Sequence, residues 1–103
     1  TLERANFADL SQVRHHRSVH VLDVRLAGEH ADGHIEGAQN VPIGAVLDRL
    51  DEIPERELWV HCASGYRASI AASVLAARGR LVVVVDDDFD NAAPAGLPMT
   101  TPA

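Results

Sequence analysis

Cys62, the only cysteine of the chain, stands between an apolar run and a helical pattern. The run that begins at Leu58 is short and continuous, which is typical of a buried strand, and Arg67 opens the helical pattern after four small or polar residues. A loop that enters a helix points free backbone N–H groups at its contents, and such groups stabilise an anion. A thiolate is an anion, so this position favours a sulfur nucleophile near neutral pH, with the permanent charge of Arg67 at its mouth.

The pattern after Arg67 predicts the helix that positions this loop. The residues expected on its buried face are Ile70, Ala71, Val74 and Leu75. Gly79 stands where a left-handed C-terminal cap is expected. Ligands of open α/β sheets bind beyond the carboxyl ends of the strands, and the predicted strand places Cys62 there.

Strand and helix patterns alternate along the rest of the chain. Predicted strands cover residues 19–24, 40–41 and 81–85, and predicted helices cover a segment capped by Asn6, residues 27–32, and residues 42–51. Residues 89–96 form at most a short helix, and residues 97–103 form an extended tail. This alternation indicates an α/β fold with a mainly parallel sheet that is covered on both faces.

Composition limits the function classes. The chain has 103 residues and 47% hydrophobic content, which predicts one domain over residues 1–103. Its net charge of −6 argues against nucleic acid or an anionic membrane as partner. A single cysteine excludes an internal disulfide and a cysteine-cluster metal site. The start at Thr1 indicates a processed chain or a piece of a longer one, and the lack of an apolar span or a signal peptide favours the cytoplasm.

Three further groups of polar residues have structural and functional interpretations. Asp23 and Arg25 end the first predicted strand, as a local ion pair or turn cap, or as neighbours of the Cys62 loop. The acidic segment 86–88 is expected to stabilise a helix N-terminus rather than to bind a cation. His30 and His34 have a spacing that metal ligands use, but the sequence offers no third ligand nearby, so we expect no metal.

In order and spacing, several segments together resemble the rhodanese-homology domain. They are Asp23–Arg25, Glu29, Gly33–Pro42, Cys62–Arg67 and Gly96–Pro98. The resemblance implies a five-stranded parallel sheet with flanking helices, and a cysteine that takes a sulfane sulfur from thiosulfate or a low-molecular-weight persulfide. The sulfur then passes to a thiol or cyanide, without a metal or organic cofactor.

The resemblance also assigns roles to individual residues. Cys62 is the expected nucleophile and sulfur carrier, and Asp23 and Arg25 are expected to support its loop. The residues of the expected substrate cradle are Ala63, Ser64, Gly65, Tyr66 and Arg67. Apart from Arg67 this cradle is neutral, which predicts a preference for persulfides over thiosulfate. The acidic segment 85–91 is similar to rhodanese domains fused to metallo-β-lactamase-like persulfide dioxygenases, and it predicts a fused or associated persulfide-metabolising domain.

Two alternatives to a sulfurtransferase remain. One is a non-catalytic accessory or regulatory module, because rhodanese-like domains often serve as accessories. The other is a phosphatase or arsenate reductase on the same fold. Four residues separate Cys62 from Arg67, whereas the related phosphatases have five. The shorter loop favours binding of a persulfide sulfur, which is smaller than the tetrahedral anion that a phosphatase binds.

Overall fold

A computed structural model describes residues 2–101 of the chain. Its strands, in chain order, are β1 (Glu3–Ala5), β2 (His20–Asp23), β3 (His34–Ile35), β4 (Gln39–Asn40), β5 (Leu58–His61), β6 (Val82–Val85) and β7 (Met99–Thr100). Its α-helices are α1 (Phe7–Val13), α2 (Ala27–Asp32) and α3 (Tyr66–Ala77). Thr1, Pro102 and Ala103, which the predicted domain and tail include, lie outside the described residues.

The five-stranded sheet has the order β1-β6-β5-β2-β4, and all its pairs are parallel. This confirms the predicted α/β fold with a parallel sheet. β5 is the central strand, and its neighbours β2 and β6 end at the same edge of the sheet. Residues that follow these three strands therefore meet at that edge, where Cys62 begins the loop to α3.

The two faces of the sheet carry separate cores. Strand residues alternate between the faces, so Val60 and Val84 face α3, whereas Trp59 and Val83 face α1. On the second face α1, the helix that the sequence predicted after Asn6, buries Phe7, Leu10 and Val13. The predicted cap is also present: the Oδ1 atom of Asn6 accepts a hydrogen bond from the backbone N–H of Asp9 at 2.8 Å.

α3 is rotated relative to the prediction. Its buried residues are Ala68, Ala71, Ala72 and Leu75. Ala71 and Leu75 are buried as predicted, and Val74 is partly buried and packs against this core. Ile70 is 44% exposed, so its placement on the buried face was wrong. The strands below already supply bulky side chains, and a helix that presents alanines can approach them closely. A hydrophobicity pattern underestimates such a face because alanine is weakly apolar.

The predicted helix over residues 42–51 was also wrong. Two short 3₁₀ turns, Ile43–Ala45 and Leu50–Glu52, take its place. Gly44 and the β-branched Val46 are poor helix formers, and the chain here buries Val46 while leaving Leu47 50% exposed. Similarly, the segment 89–96 contains only the 3₁₀ turn Phe89–Asn91.

Three strands were missed because each is too short to show a pattern. β1 extends the sheet beside β6, directly before the cap of α1. β3 and β7 form a small antiparallel sheet, in which residues of the expected tail pair with the two residues that follow Gly33. This pairing covers Ile35, which is fully buried.

The close contact between α3 and the sheet can be tested by overpacking. Ala72→Leu should lower the free energy of unfolding by about 1–3 kcal/mol, because the extra atoms have no space in a filled core. Ala77→Leu, on the exposed end of the same helix, is the matched control and should be nearly neutral. Equal stability of the two variants in urea unfolding would show that α3 does not pack closely.

Candidate active site

Cys62 lies directly after β5 and is 1% exposed. Its Sγ atom accepts hydrogen bonds from the backbone N–H groups of Gly65, at 3.1 Å, and Ala68, at 3.3 Å. Both donors belong to the loop and the first turn of α3, where backbone N–H groups have no partner within the helix. The chain therefore surrounds the sulfur with donors that stabilise negative charge.

The loop can approach the sulfur because Gly65 adopts a left-handed conformation, with φ of +100°. A Cβ atom at this position would contact the Oδ1 atom of Asp86 and come within 3.1 Å of its Cα atom. Both the backbone angle and the lack of space therefore require glycine. The loop is also tied to the chain after β6, since the N–H of Phe89 donates to the carbonyl oxygen of Ala63 at 2.8 Å.

Ser64 and Tyr66 form the outer rim of the loop. Ser64 is exposed, and Tyr66 is 74% exposed at the first position of α3. The side chain of Tyr66 therefore extends into solvent, and its expected role in binding the sulfur donor stays a prediction.

Arg67 is paired with Glu29 of α2. Its two terminal nitrogens donate to the two carboxylate oxygens at 2.7 and 3.1 Å. The hydrogen bonds from Arg67 lower the pKa of Glu29 to about 2, and the carboxylate in turn raises the pKa of Arg67. The positive charge that the sequence predicts at the opening of the Cys62 loop is therefore compensated by the carboxylate of Glu29. Glu29 lies 38 residues away in the chain; it is one of the residues that carry the family resemblance, but no pattern in the sequence indicated its pairing with Arg67.

Asp23 and Arg25 form a buried ion pair beside the loop. Asp23 of β2 lies opposite His61 of β5 in the parallel sheet, so β2 ends next to Cys62. The guanidinium of Arg25 donates to both carboxylate oxygens of Asp23 and to the carbonyl oxygen of Gly33. The sequence left two interpretations of Asp23 and Arg25 open, a local ion pair or turn cap and a position beside the Cys62 loop. The structure shows that the two residues form an ion pair and also lie beside this loop.

Asn40 and Phe89 hold this ion pair in place, and sequence reasoning missed both. The side-chain amide of Asn40 donates to the carbonyl oxygens of Asp23 and Arg25 at 3.1 and 2.9 Å. The guanidinium carbon of Arg25 lies 3.9 Å from the centre of the Phe89 ring. Asn40 lies in Gly33–Pro42, one of the segments that carry the family resemblance, and this was the feature of the sequence that could have identified it.

His61 supports the loop from the opposite face of the sheet. It is fully buried and stacks on Phe89, with ring centres 5.3 Å apart, and it meets the Phe7 ring edge-on. Burial lowers the pKa of His61, because the charged imidazolium would lose its hydration. The ring is therefore neutral at physiological pH and acts as an aromatic packing element.

The acidic segment after β6 stabilises a helix N-terminus, as expected, and the helix is α1. Asp87 accepts a hydrogen bond at 3.0 Å from the N–H of Phe7, at the start of α1. It also accepts bonds from Asn91 and from the N–H of Asp88. Burial opposes ionisation of Asp87, yet these hydrogen bonds lower its pKa overall.

Among residues 2–101, no group of three potential ligands is arranged to hold a metal ion. The rings of His30 and His34 stack face to face with centres 3.7 Å apart. The Nδ1 atom of His34 lies 2.8 Å from the carbonyl oxygen of His30, so this nitrogen is engaged by the backbone.

Comparison with known proteins agrees with this geometry. The profile of the family described as "Rhodanese-like domain" matches residues 6–93. The chain belongs to the rhodanese-like domain family. A rhodanese-related protein from Thermoplasma volcanium has a similar structure, with a TM-score of 0.86 and 27% sequence identity, over 97% of this chain and 99% of that one.

Two curated proteins each contain a region that is similar to this chain. The HTH-type transcriptional regulator Rv0324 of Mycobacterium tuberculosis is 37% identical over 95 residues, which is 89% of this chain and 42% of that protein. YrkF of Bacillus subtilis, described as a candidate sulfur carrier protein, is 36% identical over 63 residues, which is 60% of this chain and 34% of that protein. The chain thus spans less than half of either relative. No helix within residues 2–101 is long and apolar enough to cross a membrane.

The requirement for glycine in the sulfur-binding loop gives a first test of the site. Gly65→Ala should lower the free energy of unfolding by about 1–3 kcal/mol, because the left-handed conformation and the contact with Asp86 are both unfavourable for alanine. The control is Gly28→Ala in α2, where a Cβ atom has open space and φ is not positive; we expect no loss there. If both variants melt alike, the tight contact at Gly65 does not exist.

The pair of Glu29 and Arg67 predicts a dependence of stability on pH. The pKa of Glu29 falls from 4.5 to about 2 on folding, so the pair contributes stability that is fully present above pH 4.5. This contribution is lost as the pH falls from 4.5 towards about 2. Glu29→Gln should therefore be less stable than the natural protein at neutral pH, and the difference should shrink in acid. A difference that stays constant from neutral pH to pH 3 would contradict the pairing.

Proposed function

We propose that this rhodanese-like domain is a sulfurtransferase in which Cys62 carries a sulfane sulfur as a persulfide. The observation that carries the proposal is the pair of backbone N–H groups, from Gly65 and Ala68, that donate to Sγ of the only cysteine. The same donors favour the thiolate that must attack the sulfur donor and the persulfide anion that results. Family membership and the similarity to YrkF support the same chemistry.

The reaction has two steps. The Cys62 thiolate attacks the sulfane sulfur of thiosulfate or a persulfide; a Cys62–sulfur bond forms, and the bond from that sulfur to the donor breaks. Sulfite or a thiolate leaves with the electron pair. A thiolate or cyanide then attacks the outer sulfur, and Cys62 leaves as a thiolate. Because the chain has no second cysteine, the acceptor must come from outside, which gives ping-pong kinetics.

Cys62 and its loop therefore have the central roles in the proposal. Gly65 donates to the sulfur, and Ala63, Ser64 and Tyr66 complete the loop as the proposed cradle for the sulfur donor. Arg67 orients the loop through its pair with Glu29 and faces the donor. Asp23 and Arg25 support the loop. The proposed steps need no metal or organic cofactor, and they suit the reducing cytoplasm, where free thiol acceptors are available.

A regulatory module is the second candidate, and one observation favours it: the regulator Rv0324 is 37% identical to this chain. In that case Cys62 would accept sulfur once, as a signal to an attached domain. Repeated turnover with an excess of donor and acceptor would identify a sulfurtransferase, and a single loading event would identify a sensor. A fused or associated persulfide-metabolising domain stays a prediction.

The proposal predicts that the thiol must stand at position 62. Cys62→Ser should abolish thiocyanate formation from thiosulfate or a persulfide and cyanide, while the melting temperature stays similar because the change is nearly isosteric. The matched control is the double variant Cys62→Ser with Ser64→Cys, which moves the thiol to an exposed position in the same loop. We expect this variant to be inactive as well, because the N–H groups no longer face the sulfur. Activity in the single variant would refute Cys62 as the carrier, and activity in the double variant would refute the requirement for N–H groups that face the sulfur.

A further inference from the structure

The two arginines of the site are both neutralised by carboxylates. Arg25 is 5% exposed and binds Asp23, which is fully buried. Arg67 uses its two terminal nitrogens on Glu29. A donor that enters the site therefore meets guanidinium groups whose charge is already compensated, so a further carboxylate near the loop adds negative charge that these two groups do not offset.

Asp86 supplies that further carboxylate. It directly follows β6, the neighbour of β5, and its Oδ1 and Cα atoms border the position that a Cβ atom would occupy at Gly65. The N–H of Gly65 in turn donates to Sγ of Cys62 at 3.1 Å. By bond lengths and contact distances, the carboxylate lies within roughly 8 Å of the sulfur, which is about one Debye length at physiological ionic strength.

The charge of Asp86 is offset only weakly. Its partner is the Nη1 atom of Arg4 at 3.4 Å, and the side chains are 53% and 51% exposed. Such solvent-exposed pairs are loosely held and are screened by salt. The structural contribution of this position comes from the backbone, since the N–H of Asp86 donates to the carbonyl oxygen of Ala5 at 2.8 Å. An asparagine would keep that bond and remove the charge.

We propose that Asp86 is a specificity-determining residue that selects sulfur donors by charge. Its carboxylate disfavours compact dianions such as thiosulfate relative to persulfides whose organic part carries a positive charge that balances the charge of the persulfide. This inference rests on the proposed function and deepens it by naming the donor class. At a separation of about 8 Å in water-like surroundings, repulsion of a dianion corresponds to a factor of about five in kcat/KM.

The test compares two donors in three proteins. The donors are thiosulfate and the persulfide of cysteamine, whose ammonium group balances the persulfide charge. The proteins are the natural chain, Asp86→Asn, and the control Asp51→Asn. Asp51 is exposed in the turn Leu50–Glu52, which contacts Arg80 beyond the C-terminal end of α3, so it lies at the opposite end of the helix from Cys62.

At low ionic strength Asp86→Asn should raise kcat/KM for thiosulfate about fivefold and change that for cysteamine persulfide less than twofold. The thiosulfate effect should shrink as salt is added, and Asp51→Asn should leave both donors unchanged. A second variant has the opposite sign: Arg4→Met removes the partial offset and should lower thiosulfate use. Equal effects on both donors, or no effect of salt, would overturn the role of Asp86.

The same measurements separate this inference from the proposed function. If persulfide forms on Cys62 but the ratio of the two donors is unchanged in Asp86→Asn, only the role of Asp86 is wrong. If neither donor loads Cys62 in the natural protein, the proposed function is wrong and the inference fails with it.

Discussion

The hydrogen bonds from Gly65 and Ala68 to Sγ of Cys62 are the interaction on which the site depends. They require a chain that leaves a buried strand, turns within a few residues and enters a helix. Gly65 makes the turn possible through its positive φ, and the contact between Ala63 and Phe89 fixes the loop to the chain after β6. The alanine face of α3 then holds the first helical turn close to the sheet, so the N–H groups stay directed at the sulfur.

Charge around this loop is arranged in pairs rather than as an open cationic pocket. Breaking a buried pair such as Asp23 and Arg25 typically costs about 3–5 kcal/mol, so these residues hold the strand end rigidly. The more exposed pair of Arg67 and Glu29 links α3 to α2 across the mouth. The structure therefore uses its charged groups mainly to position the loop, and it leaves stabilisation of the sulfur to backbone dipoles.

Much of this arrangement follows from local sequence. The continuous apolar runs and their alternation with helices define the parallel sheet, and the junction at Cys62 defines where donors must point. The pairing of Arg67 with Glu29 cannot be predicted in this way, because the two residues are 38 apart and meet only in the fold. The same holds for the exposure of Ile70, which depends on how closely α3 approaches bulky strand residues. The predicted helix over residues 42–51 was wrong because tertiary burial of Val46 outweighed a helical spacing of apolar residues.

The central claim is that Cys62 holds a transferable sulfur in this loop. Its most direct test is intact-protein mass spectrometry after incubation with a sulfane sulfur donor and removal of excess reagent. The account predicts a mass gain of one sulfur atom, located at Cys62 by peptide mapping and removed completely when cyanide is added. A protein that gains no mass with thiosulfate or with any low-molecular-weight persulfide, or whose adduct survives cyanide, would contradict it.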